Sequence, residues 1–294
     1  MNILITGASG FLGNHLKNSF DSKLYHTLDI VNSTFDTNIA KEIPKLTESY
    51  NTVIHIAGKA HIIPKNSEQE QEFYDINYTG TKNIVSALSN SKALPKKFVF
   101  ISTVAVYGLE AGELINETQP LKGSTSYAKS KILAEDFLMD WGAKNNVGVT
   151  ILRLPLLVGK NPPGNLGAMI KAIRKGYYFR IGDGSTRRSM VLAEDIGKLI
   201  ASDNLKPGIY NLTDGHHPSF KEIEDLIAKQ LNKRIKTMPK WIIQTACKIG
   251  DRLSYFPINS YKYEKLTSTL TFSDERARKE MNWNPRSVIE GFEL

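Results

Sequence analysis

After its first methionine the chain reads Asn2-Ile3-Leu4-Ile5-Thr6-Gly7-Ala8-Ser9-Gly10-Phe11-Leu12-Gly13. The apolar run has strand character. Glycines at this spacing between a strand and a helix permit a tight turn, a close backbone approach to a pyrophosphate and close helix–strand packing. Taken alone, they also fit an ordinary turn from a strand into a helix. The stretch predicts a dinucleotide site at the helix N-terminus, formed by Gly7, Gly10, Phe11, Leu12 and Gly13.

A second strand-like run supports this interpretation because it ends in an acidic residue. The run is Leu24-Tyr25-His26-Thr27-Leu28-Asp29, and its acid lies roughly 20 residues beyond the glycines. A carboxylate at that distance accepts hydrogen bonds from an adenosine ribose and repels a 2′-phosphate. We therefore expect the cofactor to be NAD rather than NADP.

Strand-like and helix-like segments alternate through the first half of the chain. Further apolar runs at 52–57, 97–102 and 149–154 fit strands, and a long helical stretch runs through Asn77 to about Leu88. This pattern predicts an α/β fold, a Rossmann-type doubly wound parallel sheet. Ligands of such sheets bind beyond the carboxyl ends of the strands. We expect one rim to hold Gly7, Asp29, Ala57, Thr103 and Leu154.

From Pro155 onward the alternation loosens, and further helices are expected at 166–175, 219–231, 239–254 and 273–281. We interpret this part as a smaller, mostly helical carboxy-terminal lobe. Residues 1–160 are expected to form the NAD-binding domain, with 188–213 returning to it, and residues 161–187 and 214–294 to form the substrate-binding lobe.

Composition favours an enzyme of the cytoplasm. The 294 residues include no apolar run near 18 residues, and the chain starts directly with a strand, so we expect neither a transmembrane span nor a signal peptide. The net charge of +8 is spread along the chain without a basic tail or nucleic-acid motif, so no nucleic acid partner is expected. The single cysteine, Cys247, and the lack of a Cys/His cluster predict neither a disulfide nor a metal site.

A tyrosine and a lysine four residues apart, Tyr127 and Lys131, follow a strand that ends in Ser102-Thr103. On a helix this spacing puts both side chains on one face, where an ammonium can favour ionisation of a phenol. The spacing alone proves little, because Tyr261 and Lys265 repeat it. The glycine-rich turn and the strand-end Thr103 upstream favour the first pair.

Short motifs follow one another in a fixed order along nearly the whole chain. In that order they resemble the extended short-chain dehydrogenase/reductase superfamily and, within it, the nucleotide-sugar epimerases and 4-keto-reductases. The motifs are Thr6-Gly7-x-x-Gly10-x-x-Gly13, His55-Ile56-Ala57-Gly58, Asn77-x-x-Gly80-Thr81, Ser102-Thr103-x-x-x-Tyr107-Gly108, Tyr127-x-x-x-Lys131, Arg153-Leu154-Pro155, Gly182-Asp183-Gly184, Arg187-Arg188-Ser189-Met190-Val191, Glu194-Asp195 and Lys279-Glu280-Met281-Asn282-Trp283-Asn284-Pro285.

The resemblance implies catalytic roles for three residues. Tyr127 would be the general acid/base, and Lys131 would lower its pKa and hold the nicotinamide ribose. Thr103 would hydrogen-bond the reacting sugar hydroxyl or ketone. The trio suits the chemistry because a hydride leaves or joins a carbon as a proton leaves or joins its oxygen. The alternative is that Tyr127 packs a helix face and Thr103 merely ends a strand.

The resemblance also implies further binding residues. Around the cofactor, Asp36 would contact the adenine, Asn77 would lie near the active site, and the remaining lining residues would be Ala57, Gly58, Lys59, Ser102 and Pro155. The substrate would be a nucleotide sugar, most simply a UDP-sugar. Asn165, Arg187 and Arg188 would hold its diphosphate, and Phe179 would flank the base.

One departure from the family narrows the reaction. Related sugar 4,6-dehydratases carry an Asp-Glu pair directly after the catalytic Ser/Thr, whereas this chain has Val104 and Ala105, which cannot carry a proton. Dehydration is therefore disfavoured.

A 4-epimerase is the favoured interpretation, and a UDP-4-keto-6-deoxyhexosamine 4-reductase is the alternative, because 187–191 and 265–270 resemble branches that include such reductases. A non-catalytic NAD(P)-binding regulator is a remote third possibility. The resembling family usually forms homodimers.

Overall fold

The computed structural model describes residues 2–60, 62–239, 247, 251, 263 and 267–294. Seven parallel strands form the main sheet, which confirms the predicted Rossmann-type architecture. In the order in which they lie side by side, the strands are β11 (Gly208–Asn211), β7 (Gly148–Leu154), β5 (Lys97–Thr103), β4 (Thr52–His55), β1 (Ile3–Thr6), β2 (Tyr25–Asp29) and β3 (Phe35–Asp36).

The strands at the centre of this sheet are buried along their whole length. Every residue of β1 and β4 is buried, as expected for parallel strands with helices on both faces. Ile5 pairs with Ile54, and Ile54 pairs with Val99, so a continuous apolar layer crosses the sheet. The two faces belong to separate hydrophobic clusters.

Helices cover both faces of the sheet, and further helices follow in the carboxy-terminal part of the chain. No helix within the described residues is both long enough and apolar enough to cross a bilayer. In chain order they are α1 (Phe11–Lys17), α2 (Ser67–Tyr74), α3 (Gly80–Ser89), α4 (Ser126–Asn145), α5 (Gly164–Lys175), α6 (Ala193–Ala201), α7 (Phe220–Gln230), α8 (Glu275–Met281) and α9 (Val288–Gly291).

The long helical stretch predicted through Asn77 is interrupted. A π-helical turn, Asp75–Thr79, joins α2 to α3. Such a turn holds an extra residue and commonly marks a functional site. Here it turns the Asn77 side chain fully into the interior, and the Thr81 hydroxyl donates to the Asn77 carbonyl at 2.6 Å.

In a third hydrophobic cluster, α5 and α7 pack against the end of the chain and against Val158, Met190 and Leu192. A capping box of Ser219 and Glu222 begins α7. Of the helices predicted in this half, those at 166–175, 219–231 and 273–281 correspond to α5, α7 and α8 within a few residues. The predicted helix at 239–254, apart from residues 239, 247 and 251, and the pair Tyr261 and Lys265 lie outside the described residues. Within the described residues there are also three two-stranded parallel pairs: β8 (Leu156–Val158) with β10 (Met190–Leu192), β9 (Phe179–Ile181) with β12 (Lys236–Met238), and β6 (Gly112–Ile115) with β13 (Leu270–Phe272).

Candidate active site

A cleft of about 1040 Å³ opens at the carboxyl ends of the main-sheet strands. It is lined by all five residues that the sequence placed on one rim: Gly7, Asp29, Ala57, Thr103 and Leu154. The other predicted residues that line it are Gly10, Phe11, Leu12, Gly58, Lys59, Ser102, Tyr127, Lys131 and Pro155.

The glycine-rich turn brings backbone close to backbone at one end of the cleft. Gly7 has φ +69°, and a Cβ there would lie 2.6 Å from the Ala57 nitrogen. A Cβ on Gly13 would lie 2.4 Å from the Gly7 carbonyl oxygen, so Gly13 serves helix–strand packing and does not line the cleft. Gly10 begins α1 without a capping side chain, which leaves N–H groups of the first turn to a ligand.

Asp29 faces the same turn. Its Oδ2 accepts hydrogen bonds from the Ser9 backbone N–H at 3.0 Å and from the Ser9 hydroxyl, and its Oδ1 accepts from the Ile30 N–H at 2.9 Å. Ser9, which lies between the glycines of this turn and was not among the predicted site residues, also lines the cleft. These bonds hold the carboxylate at the cleft wall, where the NAD assignment requires it.

Asp36 does not line the cleft, so the structure does not support its predicted contact with the adenine. Its carboxylate accepts hydrogen bonds from the Ser33 N–H at 2.8 Å and the Ser33 hydroxyl at 2.9 Å, and the backbone bond is the main cause of its lowered pKa. The next residues along the chain, 37–41, line the cleft instead. The local turn thus fixes the Asp36 carboxylate on Ser33.

The three predicted catalytic residues lie together where β5 ends and α4 begins. Thr103 is the last residue of β5, and its side chain hydrogen-bonds to Tyr127 and accepts from the Ala105 N–H at 3.1 Å. Thr125 caps α4 and accepts from the Ala128 N–H at 3.1 Å, which places Tyr127 in the first turn.

Lys131 lies one helical turn further on and is buried. Its Nζ donates to the Ile101 carbonyl at 2.8 Å and lies 4.5 Å from the centre of the Phe100 ring. Burial lowers the pKa of Lys131 to about 8, and Glu135 opposes this shift. Lys131 therefore carries its charge at neutral pH but can lose it in mildly alkaline solution.

The pKa of Tyr127 is raised, not lowered. Burial is the main cause, and the hydrogen bond with Thr103 opposes it. The expectation that Lys131 would lower this pKa is wrong for the arrangement found here, because the ammonium is engaged by the Ile101 carbonyl. The phenol is thus a proton donor until a bound ligand changes its surroundings.

Asn77 links the loop at Lys59 to helix α4 and does so outside the lining of the cleft. Its Oδ1 accepts from the Lys59 N–H at 2.7 Å, and its Nδ2 donates to the Lys59 carbonyl at 3.2 Å and the Ser130 hydroxyl at 2.9 Å. A Cβ on Gly58 would lie 2.9 Å from Asn77 Oδ1 and 3.2 Å from Lys131 Nζ. Asn77 thus acts by holding residues that line the cleft, and does not line it itself.

His55, from the same motif as Ala57, is a fully buried neutral link between β4 and its neighbours. The Thr81 hydroxyl donates its hydrogen to the Asn77 carbonyl, so the hydroxyl oxygen accepts a hydrogen bond from His55 Nε2 at 2.9 Å. His55 Nδ1 then carries no hydrogen and accepts from the Thr6 hydroxyl at 2.6 Å. Burial, with a smaller contribution from the Lys131 charge, lowers the pKa of His55 to about 3.

Lys59 forms an ion pair with Glu72 and lies 5.3 Å from the centre of the Phe73 ring. Glu72 and Asp75 line the cleft as well, and the sequence analysis did not select them. The sequence feature that could have indicated them is their position, because both lie within about two helical turns before Asn77. Of these two acids, Glu72 is the one that pairs with Lys59, whereas Asp75 accepts a hydrogen bond from Gln71 Nε2 at 2.9 Å.

Of the five predicted substrate residues, Thr103 lines the main cleft, and the four assigned to the diphosphate and base, Asn165, Phe179, Arg187 and Arg188, do not. Asn165 lies in the first turn of α5, close in sequence to the cleft residue Pro163, and Phe179 begins β9 and is exposed. Arg187 Nη1 donates to the His217 carbonyl at 3.0 Å. Arg188 is half-buried, and burial lowers its pKa against the opposing charge of Glu110.

The site fits a dinucleotide. The cleft is large enough, Gly7 permits the close turn, the first turn of α1 has no capping side chain, and Asp29 stands at the wall. Lys131 lines the same cleft. When bound, NAD supplies the hydride chemistry at this site.

Comparisons with known proteins agree with this geometry. A model of the NAD dependent epimerase/dehydratase family matches residues 3–212. The N-acetyl-α-D-glucosaminyl-diphospho-ditrans,octacis-undecaprenol 4-epimerase of Escherichia coli O157:H7 is 27% identical over 252 residues, which cover 81% of this chain and 74% of that protein. The UDP-glucose 4-epimerase of Vibrio cholerae is 25% identical over 317 residues, covering 99% of this chain and 93% of that protein.

Solved structures agree in fold. The UDP-glucose 4-epimerase of Thermus thermophilus, solved in complex with NAD, superposes with a TM-score of 0.73 at 21% identity, covering 99% of this chain and 96% of that one. At this identity the likeness concerns the fold alone.

Proposed function

The chain belongs to the NAD dependent epimerase/dehydratase family and is an NAD-dependent enzyme, and from this premise we propose that it interconverts C4 epimers of a UDP-hexose or UDP-N-acetylhexosamine. The observation that carries the proposal is the meeting of Thr103, Tyr127 and Lys131 in the cleft that fits NAD. A role in surface polysaccharide biosynthesis would follow from such a product.

The three residues have separate tasks in this proposal. Tyr127 takes the proton from the C4 hydroxyl as the sugar is oxidised, and returns it when the ketone is reduced on its other face. Thr103, which is hydrogen-bonded to Tyr127, holds the same oxygen in line. Lys131 binds the nicotinamide ribose and favours the ionised phenol once its ammonium turns from the Ile101 carbonyl.

The nucleotide diphosphate would be held from the smaller lobe. We assign its two phosphates to Asn165, Arg187 and Arg188, and its base to Phe179. Support comes from the planar guanidinium of Arg188, which can hold two phosphate oxygens, and from the exposed side chains of Asn165 and Phe179. One relative acts on a sugar joined by diphosphate to a polyprenol, so the group beyond the diphosphate has to be tested.

Dehydration is not part of the proposal. Val104 and Ala105 begin a short 3₁₀ helix, Val104–Tyr107, directly after Thr103. The elimination of water needs an acid and a base beyond those of the hydride step. Neither side chain at these two positions can supply one.

Reduction of a UDP-4-keto-6-deoxyhexosamine is the second candidate. The same trio would deliver a proton to the ketone oxygen, and the segment 187–191, which resembles reductase branches, favours this interpretation. The two candidates differ in cofactor use, because an epimerase recycles NAD whereas a reductase consumes NADH.

A homodimer is proposed on the outer face of α4. Leu133 and Met139 are large apolar residues there with 41% and 38% of their surfaces exposed. A second copy would cover them. Light scattering on the eluted protein would measure the mass in solution, and a monomer at micromolar concentration would contradict this assembly.

The function is tested with purified protein and a panel of sugar nucleotides. An epimerase converts a UDP-hexose into its C4 epimer without added cofactor, and product NMR identifies the inverted carbon. A reductase instead oxidises NADH only when a UDP-4-keto sugar is present. The panel includes N-acetylglucosamine diphosphoundecaprenol, so that the carrier is tested together with the sugar. A panel without any change at C4 would refute both candidates.

A further inference from the structure

A row of buried polar side chains lies behind the catalytic trio. Its members are Ser102, Tyr107, Glu135, Arg153 and Asn211, and all five are buried. Among them, Ser102 alone lines the main cleft. Direct contact with cofactor or substrate therefore does not explain why the interior of the protein carries the charges of Glu135 and Arg153.

Glu135 is the centre of this row. Arg153 Nη2 lies 2.6 Å from Glu135 Oε2, and the two side chains are 3% and 2% exposed. The Ser102 hydroxyl donates to the other carboxylate oxygen, Oε1. Glu135 thus links α4 to the end of β5 and to β7. The trio lies on α4 and at the end of β5, and β7 is the strand next to β5.

The hydrogen bonds of the row continue to the edge of the sheet. Arg153 Nη1 donates to the Tyr107 hydroxyl at 3.1 Å, and Tyr107 donates to Asn211 Oδ1 at 2.7 Å. Two charges removed from water need such a complete set of partners, because desolvation otherwise exceeds their attraction. The row is thus one connected unit with a defined geometry.

Glu135 also follows Lys131 by one helical turn, so their side chains share a face of α4. The other groups near the ammonium are the Ile101 carbonyl and Phe100 ring of β5, and the neutral His55 of β4. Tyr127 precedes Lys131 by one turn as a neutral phenol, Arg153 lies beyond Glu135 as a cation, and Asn77 adds an uncharged amide. Within the part of the chain that the structure describes, Glu135 is the anion that acts on Lys131.

We propose that Glu135 is a positioning residue of the active site, which holds the Ser102–Thr103 strand end against α4 and keeps the buried Lys131 side chain charged. It acts through Lys131 and Ser102 and touches neither cofactor nor substrate. The proposal rests on the assignment of Lys131 to the active site, but the charge of Lys131 can be measured without any substrate.

Glu135→Gln separates the charge of this residue from its shape. The amide keeps nearly the volume of the carboxyl and can still accept from Ser102, but the negative charge is lost and the Arg153 cation remains. The loss of the carboxylate charge and the remaining Arg153 cation both disfavour the ammonium form of Lys131. The pKa of Lys131 should therefore fall by about one unit or more.

The experiment is an NMR titration of the full chain labelled with ¹³C at lysine Cε. The Lys131 signal is assigned by its loss in Lys131→Arg, and in the unmutated protein it should titrate near pH 8, apart from the exposed lysines. Glu135→Gln should lower this midpoint, whereas Glu135→Asp, which keeps the charge, should leave it near pH 8. In the NAD-loaded enzyme the alkaline limb of kcat should move in the same direction.

Two controls distinguish positioning from a structural ion pair. Asp195 is another buried carboxylate; it lies in α6 and is bonded to Lys198 of the same helix and to Arg286. Asp195→Asn should leave the Lys131 midpoint unchanged. Glu135→Gln/Arg153→Met removes both charges and so avoids an unpaired buried cation if the single variant does not fold. Its midpoint should remain low.

A Lys131 midpoint that stays at the unmutated value in Glu135→Gln or in the double variant would overturn the proposal. Because this readout needs no turnover, it is independent of the proposed reaction. Failure of every UDP-sugar assay with a lowered midpoint in Glu135→Gln would refute the proposed function and leave the role of Glu135 standing.

Discussion

Replacing Lys131 by methionine should make the protein more stable and remove its turnover. The side chain is 4% exposed, and burial lowers its pKa from 10.5 to about 8. At about 1.4 kcal/mol per pKa unit, holding the ammonium in the interior costs roughly 3 kcal/mol at neutral pH. Methionine has a similar length and carries no charge. It forfeits the hydrogen bond to the Ile101 carbonyl, which is worth about 1 kcal/mol, so a net gain of about 2 kcal/mol is expected.

The pH dependence of this gain follows from the direction of the shift. Between about pH 8 and 10.5 the unfolded chain holds a proton on Lys131 that the folded chain has released, so the stability of the unmutated protein rises with pH there. The destabilising cost is complete below pH 8 and fades above it. The advantage of Lys131→Met should therefore be largest at pH 7 and decline progressively from pH 8 upward.

Urea unfolding at pH 7.0, 8.0, 9.0 and 9.5 measures this directly. The matched control is Lys129→Met, since Lys129 is an exposed lysine on the same helix. The control should change stability by less than about 0.5 kcal/mol at every pH. A Lys131→Met protein that is less stable than the unmutated one at pH 7, or whose advantage does not change with pH, would refute the reasoning.

Three further predictions concern the cleft. Tyr127→Phe should lower kcat at least about 100-fold in the product-NMR assay while NAD affinity, measured by calorimetry, stays near normal; unchanged turnover would contradict the role of Tyr127. Gly13→Ala should lower the free energy of unfolding by about 1–3 kcal/mol, because its Cβ would lie 2.4 Å from the Gly7 oxygen. Gly10→Ala, whose Cβ would lie 3.3 Å from the same oxygen, should cost less. Urea unfolding measures both losses, and equal losses would contradict this. Asp29→Asn should reduce the preference for NAD over NADP by roughly tenfold in binding titrations, and an unaltered ratio would count against Asp29.

Local patterns in the sequence predicted the parts of the site that depend on neighbours along the chain. The strand Ile3–Thr6, the turn at Gly7 and the acid at the end of β2 need only their own segments and the rule that parallel strands end at one rim. The pair Tyr127 and Lys131 was likewise found from helical spacing and its place after Thr103.

Features that depend on residues distant in sequence were missed or misjudged. Asp36 is a local exception: it was expected at the adenine, but a turn with Ser33, three residues earlier, holds its carboxylate, and Asp36 does not line the cleft. The direction of the Tyr127 pKa shift was wrong because spacing puts Lys131 on the same helix face without revealing the Ile101 carbonyl that engages it.

Long-range pairing also explains why Glu135 escaped notice. An acid one turn after Lys131 is unremarkable on a helix surface, and its meaning depends on Arg153 from another strand and on burial of both side chains. The π-helical turn at Asp75–Thr79 is similar, since the inward direction of Asn77 depends on Lys59 and Ser130 from other segments.

The central claim is that this cleft oxidises and reduces a sugar carbon with Tyr127 as its acid and base. The most direct test is NMR of UDP-glucose and UDP-N-acetylglucosamine carrying deuterium at C4, incubated with the purified enzyme and no added cofactor. The account predicts the C4-inverted sugar with deuterium still at C4, and none in Tyr127→Phe. Loss of deuterium to solvent during inversion, or equal conversion by Tyr127→Phe, would contradict it.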